Sequence, residues 1–268
     1  MDSVALDLGE RVATGRTSAL YALGTDSVVK VPRPEVPDQW LQLEAELTIA
    51  VRKAGVPAPE VRDVVRWNNR IAVVFERVDG PSMWQQILAD PASAPRHATD
   101  LVHIHAEVLA MGVPSGLPDF VDRMQRKIAQ AEQLTAEERT NASTLTELLP
   151  RGAALLHGDL HPGNILLGSD GPVLIDWFDA AIGHPAADIS RSSLLMEPSA
   201  TVTEHLHLVD STPPLLAAVH QTYLDGMAPL LGECPQWADW CAVTAASRLS
   251  EGAHVDESVL ITRWRQSG

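Results

Sequence analysis

The run HGDLHPGNILL at 157–167, followed by VLIDW at 173–177, decides how this chain is read. Short apolar runs flank Gly, Pro and Asn there, so the segment reads as short strands inside a pattern that is otherwise helical. From Ser82 onward helical spacing covers 82–89, 96–111, 120–134 and 143–149, and several helices follow 184. Thr135 with Glu138 three residues later has the form of a capping box for another turn of helix. Before Ser82 the pattern changes. Residues 9–13, 19–23 and 28–31 are β-prone runs separated by turn signals at Gly15 and Gly24-Thr25-Asp26. Two more strands, 61–66 and 71–78, flank a Trp67-Asn68-Asn69 turn. Between the two groups, residues 39–54 have helical spacing and stop at Gly55, with Pro57 beyond. The expectation is an α+β chain, with a small antiparallel-sheet lobe over 1–80 ahead of a larger, mostly helical lobe over 81–268.

Composition narrows the functional classes. At 268 residues the chain can bury a core as one large domain or two lobes. Its 45% hydrophobic content is that of a globular protein. Thirty-five acidic residues against 20 basic give a net charge of −15, which argues against nucleic acid as a partner, since phosphate neutralisation needs a basic face. The charge splits unevenly: 10 basic and 12 acidic residues over 1–80, then 10 basic and 23 acidic over 81–268. A nearly balanced first part suits a polyanionic ligand, and a strongly acidic second part suits a cationic one. No apolar run has the roughly 18 residues of a membrane span, so no membrane role is expected. The first ten residues lack the pattern of a signal peptide, and Cys234 and Cys241 are too few for a disulfide framework, so a cytoplasmic location is expected.

The quoted run carries the chemistry. Asn164 stands five residues after Asp159, and Asp176 twelve further on, each beside a short apolar stretch. Phosphoryl transfer uses such a set: one carboxylate accepts the proton of an attacking hydroxyl, while an Asn and a second Asp hold Mg²⁺ against the phosphates. Lys30 lies inside the apolar strand VVKV in a chain that uses Arg 17 times and Lys three times. The His-x-His pairs His103/His105 and His205/His207 point apart on a helix and are not expected to bind metal. Trp237 and Trp240, three apart in a helical stretch, read as core packing rather than a stacking platform.

HGDLHPGN followed by IDW resembles the aminoglycoside phosphotransferase family, within the protein-kinase-like fold. The resemblance covers roughly 10–190 and fades where the acceptor would be chosen. It implies Asp159 as catalytic base, with Asn164 and Asp176 as metal ligands. His157 would brace the loop, and His161 has no assigned role. It implies Lys30 as the phosphate-binding lysine, oriented by Glu44 or Glu46. In similar sequences the paired Glu stands about three turns before Gly55-Val56-Pro57-Ala58-Pro59, which favours Glu44. The turn TGRTSALY at 14–21 would cover the phosphates through Gly15 and a hydroxyl of Thr17 or Ser18, although it departs from a G-x-G-x-x-G loop. Glu76 and Val78 would meet the adenine edge through their backbone.

In DWFDAAIGHPAADIS (176–190) Asp188 matches the family and is expected to hold the catalytic loop, while His184 replaces a commonly acidic residue. The implied cofactors are ATP and Mg²⁺, and the residues do not separate ATP from GTP. The implied reaction is γ-phosphate transfer to a hydroxyl of a small, cationic molecule, first an aminoglycoside. The same family admits choline-, homoserine- or fructosamine-like metabolite kinases and macrolide kinases. A non-catalytic nucleotide-binding protein on the same fold is the reading from another class. The oligomeric state has no signature in the sequence.

Overall fold

The computed structural model describes residues 6–198, 212–232, 234–252 and 257–267. His205 and His207 lie outside these residues. Strands β1 (Arg11–Thr14), β2 (Ser18–Leu23) and β3 (Ser27–Pro32) precede helix α1 (Asp38–Lys53), and β4 (Val61–Trp67) and β5 (Arg70–Glu76) follow it. The five strands form one antiparallel sheet in the order β1-β2-β3-β5-β4. The β4–β5 link is a two-residue turn in which Asn68 and Asn69 take φ of 47° and 62°. Asparagine tolerates this left-handed backbone, and two such residues in a row match the twist of a hairpin.

Side chains alternate across a strand, so Val28 and Lys30 share a face of β3. On that face Val28, Ile71, Val73 and Phe75 pack with Leu41 and Ala45 of α1. The opposite face packs Val29, Val65, Ala72 and Val74. A lysine placed on the α1 side of the central strand must therefore meet the inward face of α1.

The chain continues through α2 (Met83–Ala89), α3 (Ala94–Ala110), α4 (Phe120–Ala129) and α5 (Ala136–Leu148). Short strands β6 (Ala154–Leu156), β7 (Ile165–Gly168), β8 (Gly171–Leu174) and β9 (Ala181–Gly183) come next. Helices α6 (Pro185–Met196), α7 (Thr212–Leu231), α8 (Trp237–Arg248) and α9 (Glu257–Ser267) complete it. Two expectations shift, and one strand goes unread. The helix expected over 120–134 stops at Ala129, and the Thr135–Glu138 capping box opens all of α5 instead of one turn before a helix at 143. Strand β9, three residues long, is too short to show a period.

The chain divides into two compact units that are not contiguous in sequence. The first takes the described residues up to Ser82 with Pro114–Gly116 and Gly163–Asp179, and the second takes the rest. The β7–β8 hairpin, which the sequence pattern sets in the part after residue 80, thus belongs with the sheet. A lone two-stranded hairpin is marginal in water, and this one is stitched on at both edges. Leu167 N–H donates to the Pro81 carbonyl at 2.9 Å and Leu174 N–H to the Pro57 carbonyl at 2.7 Å. Gly80, at φ 148°, lies so close that a Cβ there would fall 2.2 Å from the Leu167 oxygen.

In the second unit β6 pairs with β9, and α3, α4, α6, α7 and α8 supply the apolar core, with Leu101, Met124, Ile189, Tyr223 and Trp240 buried. Among the described residues no helix is long and apolar enough to cross a membrane.

Candidate active site

In the first unit Lys30 meets Glu44, as the register of β3 requires. Its Nζ donates to Glu44 Oε1 at 2.6 Å and Oε2 at 2.8 Å, and both side chains are buried. Glu46 is exposed and accepts from Gln42 instead. Asp176 Oδ1 lies 3.4 Å from the same Nζ. Burial works against the Lys30 ammonium, but the charges of Asp176 and Glu44 outweigh it and hold the lysine above its usual range. Burial also pushes Glu44 up, to about 7, against the pull of Lys30 and with the Asp176 charge adding to the push.

The hairpin sets the placement of Asn164 and Asp176. Ile175 N–H donates to the Asn164 carbonyl at 3.0 Å, extending the Ile165–Leu174 pairing, so both residues stand at the same end of the hairpin. Two rings anchor that end. Trp177, fully buried, donates its Nε1–H to the Leu174 carbonyl at 2.9 Å, and Phe178 packs on Trp40 of α1 with centroids 5.2 Å apart. Asp176 itself takes φ 65°, a costly backbone for a side chain other than Gly, Asn or Asp, and one that recurs at functional positions. Its carboxylate is 44% exposed, within reach of a ligand.

The turn between β1 and β2 and the exit of β5 behave differently from each other. Gly15 N–H bonds the Ser18 carbonyl at 2.8 Å, and Arg33 donates Nε–H to the Gly15 carbonyl at 3.1 Å. Ser18 is buried, Thr17 half-buried and Arg16 exposed. At the end of β5, Glu76 N–H is taken by the Glu60 carbonyl at 2.8 Å, so Glu76 can meet a base only through its carbonyl. The Val78 side chain packs beside Gly168.

In the second unit Asp159 follows Gly158, whose φ of 79° turns the chain out of β6. Asp188 on α6, fully buried, straps this loop. It accepts His157 N–H at 2.7 Å and Gly158 N–H at 2.8 Å. His105 Nε2 lies 3.1 Å from Asp188 and its Nδ1 2.8 Å from the Tyr223 hydroxyl. With Asp188 ionised, the His105 Nε2–H donates to it. Burial opposes the Asp188 charge, but the hydrogen bond from His105 holds the carboxyl below its ordinary value. His157 is buried and its Nδ1 accepts Asp159 N–H at 3.3 Å, a bracing role. His103 is exposed while His105 is buried, so that pair does point apart. Trp240 is core, stacked on His184.

Arg191, not singled out by any sequence motif, donates to Asp159 Oδ1 at 2.9 Å. Burial would raise the Asp159 carboxyl, yet the Arg191 charge, with a smaller pull from His161, brings it down to about 2. His184 is the N-cap of α6: its Nδ1 accepts Ala186 N–H at 3.2 Å, the bond an acidic side chain would make there. The only sequence hint of Arg191 was its place three residues after Asp188, one turn along the same helix.

A lysine clamped by a glutamate under an antiparallel sheet is how kinase-like phosphotransferases hold phosphates, and the fold is of that class. The chain belongs to the phosphotransferase enzyme family, which matches residues 9–240. No curated protein matches it in sequence. Among solved structures, a thermostable mutant of aminoglycoside phosphotransferase APH(4)-Ia is 16% identical, with 97% of this chain and 93% of that one covered at a TM-score of 0.64. The streptomycin-ATP ternary complex of APH(2")-IIa is 17% identical over 97% and 91% of the two chains, TM-score 0.57. A choline/ethanolamine kinase family protein from Mesorhizobium loti is 17% identical over 96% and 86%, TM-score 0.56.

Proposed function

We propose that this phosphotransferase moves the γ-phosphoryl group of ATP to a hydroxyl of a small cationic molecule, first among them an aminoglycoside. The observation that carries the reading is the buried Lys30 ammonium, held on both Glu44 oxygens with Asp176 on its other side. In this reading Lys30 binds the α/β-phosphates and Gly15, Thr17 and Ser18 cover them. The Glu76 carbonyl and the Val78 backbone meet the adenine edge. Residues 1–80 thus serve the nucleotide, and 81–268 the catalytic base and the acceptor, with Gly163–Asp179 reaching back to the phosphates.

Asn164 and Asp176 would hold Mg²⁺ through an amide oxygen and a carboxylate oxygen at one end of a fixed hairpin. When bound, the ion neutralises the charge that develops on the phosphates. The acceptor oxygen attacks the γ-phosphorus, the bond to the β–γ bridging oxygen breaks, ADP leaves, and the hydroxyl proton passes to Asp159. With a proton affinity as low as Asp159 has, the carboxylate stays ionised and chiefly orients the hydroxyl, taking the proton late. Catalysis is then mainly positioning and electrostatics.

The acceptor class rests on the 23 acidic residues after residue 80, and on aminoglycoside phosphotransferases among the structural neighbours. The choline/ethanolamine kinase family neighbour supports a second reading, a metabolite kinase with an amino-alcohol acceptor, also a cation. A coupled ADP-release screen across kanamycin, streptomycin, a macrolide, choline, homoserine and a fructosamine tests both. We expect release to be stimulated by a cationic hydroxyl compound, to need Mg²⁺, and to fall about 10²- to 10⁴-fold in Asp159→Ala. Stimulation only by a neutral or anionic metabolite overturns the cationic reading. No ADP release with any acceptor, despite ATP binding, favours the non-catalytic alternative.

A further inference from the structure

The Asp159 carboxylate does not stand alone in the second unit. Arg191, on α6, donates Nε–H to the Gly158 carbonyl at 3.2 Å and a terminal N–H to Asp159 Oδ1 at 2.9 Å. Its guanidinium also meets Glu251 as a fork, 2.9 Å to one carboxylate oxygen and 3.0 Å to the other. Glu251 in turn accepts from Lys127 at 2.9 Å and from Arg248 at 3.0 Å. Arg191 and Glu251 are both buried to more than nine-tenths of their side chains, so neither ion is held in place by solvent.

Gathering five ionised groups, two buried and three half-buried, is costly, and apolar residues of similar size commonly give equal or better stability. Geometry is what such a network supplies. A bidentate Arg–carboxylate pair fixes the plane of the guanidinium, and lysine cannot reproduce that fork. Here the fixed plane points one N–H at one oxygen of Asp159 and the Nε–H at the carbonyl just before it. The side chain and the backbone of the loop are thus set by one rigid group. The strap from Asp188 acts on the N–H groups of His157 and Gly158 and touches no atom of the Asp159 carboxylate.

We infer that Arg191, held in plane by Glu251, is the positioning residue of Asp159: it grips Oδ1 and turns Oδ2 toward the acceptor hydroxyl. The inference rests on the reading of Asp159 as the base. Arg191 touches no reacting atom. Its effect is on where the carboxylate points and on how readily it takes a proton.

The test uses the full chain and its Arg191→Met, Arg191→Lys and Glu251→Gln variants, with Asp159→Asn to assign the signal. Carbon-13 NMR follows the Asp159 carboxyl through acid titration, and ADP release from MgATP, with kanamycin, choline and water each tried as acceptor, follows turnover. In Arg191→Met we expect the titration to move up by more than one pH unit and kcat to fall about 10²-fold, with KM for MgATP changed less than about threefold. Arg191→Lys should recover part of the titration shift, and Glu251→Gln, which frees the guanidinium but also removes a negative charge that itself raises Asp159, should lower kcat with KM for MgATP little changed.

In an Arg191 variant, a fall in turnover with an unmoved Asp159 titration overturns the inference, because a purely structural role would give that result. So does an unchanged titration across the series. If Arg191→Met does not fold, Arg191→Lys decides on the same two measurements. Should Asp159→Asn keep full turnover while the titration moves as expected, the base assignment fails and the Arg191–Asp159 coupling stands.

Discussion

Lys30 and Glu44 form a pair whose two members respond differently to loss of the other. Removing Glu44 would leave a buried ammonium with only the 3.4 Å contact to Asp176. Removing Lys30 leaves a buried carboxyl that already titrates at about 7 and can go neutral by taking a proton. We therefore expect Lys30→Met to fold, to raise KM for ATP at least tenfold, and to lose turnover. Its stability should fall with pH: a buried carboxyl whose proton affinity exceeds that of the unfolded chain favours the folded state at low pH and loses that advantage as pH rises through its folded value. Urea midpoints at pH 6 and 8.5 will show the variant weaker at the higher pH, with a smaller difference in wild type. For Asp159 the sign reverses. Its carboxyl drops from 3.8 to about 2 on folding, so it stabilises above pH 4 by about 2 kcal/mol and loses that as pH falls from 3.8 through 2. Asp159→Asn should flatten this part of the acid-denaturation curve.

Local sequence wrote the β4–β5 turn and the helix caps plainly. Asn68-Asn69 between two apolar strands announces a tight hairpin, and both residues sit at positive φ. Asn69→Gly should be neutral or stabilising by up to about 1 kcal/mol, while Asn69→Val should cost about 1–2 kcal/mol, by thermal melts. Gly80 tells the opposite story. Its neighbours in sequence say only that a turn is near, yet a Cβ would strike the Leu167 oxygen 87 residues away. Gly80→Ala should destabilise by more than about 2 kcal/mol, and the loss should appear as faster hydrogen exchange at Leu167.

The N-cap of α6 was legible only in part. A Pro-led helix start after His184 and its cap on Ala186 N–H are local, but the stack on Trp240 depends on a residue 56 positions downstream. Burial pulls the proton affinity of His184 down, so below about pH 6.5 the unfolded chain gains protons that the cap resists, and stability falls. Replacing His184 by Asn should remove that dependence.

Across the chain, what could be read was local and what could not was distant. Strand period, helix exits and the spacing of Asp159, Asn164 and Asp176 led to the family and to Lys30 with Glu44. Arg191 and Glu251 are 32 and 92 residues from Asp159, and nothing in their surroundings marks them. The charge of −15 is a bulk property with a measurable consequence. If the acceptor is a cation drawn by the 23 acidic residues after residue 80, its KM should rise several-fold between about 50 and 300 mM salt, while that of a neutral hydroxyl compound stays flat.

The β7–β8 hairpin also has a practical use. Asn164 and Asp176 are fixed to each other where Ile175 meets Asn164, at the opposite end from the turn, where Ser169 and Asp170 are exposed. A fluorophore or short tag inserted between those two residues would ride on the outside without stretching the end that holds Asn164 and Asp176. That turn is where a reporter of the hairpin's surroundings belongs, and a change of its signal on adding MgATP tests the proposed site.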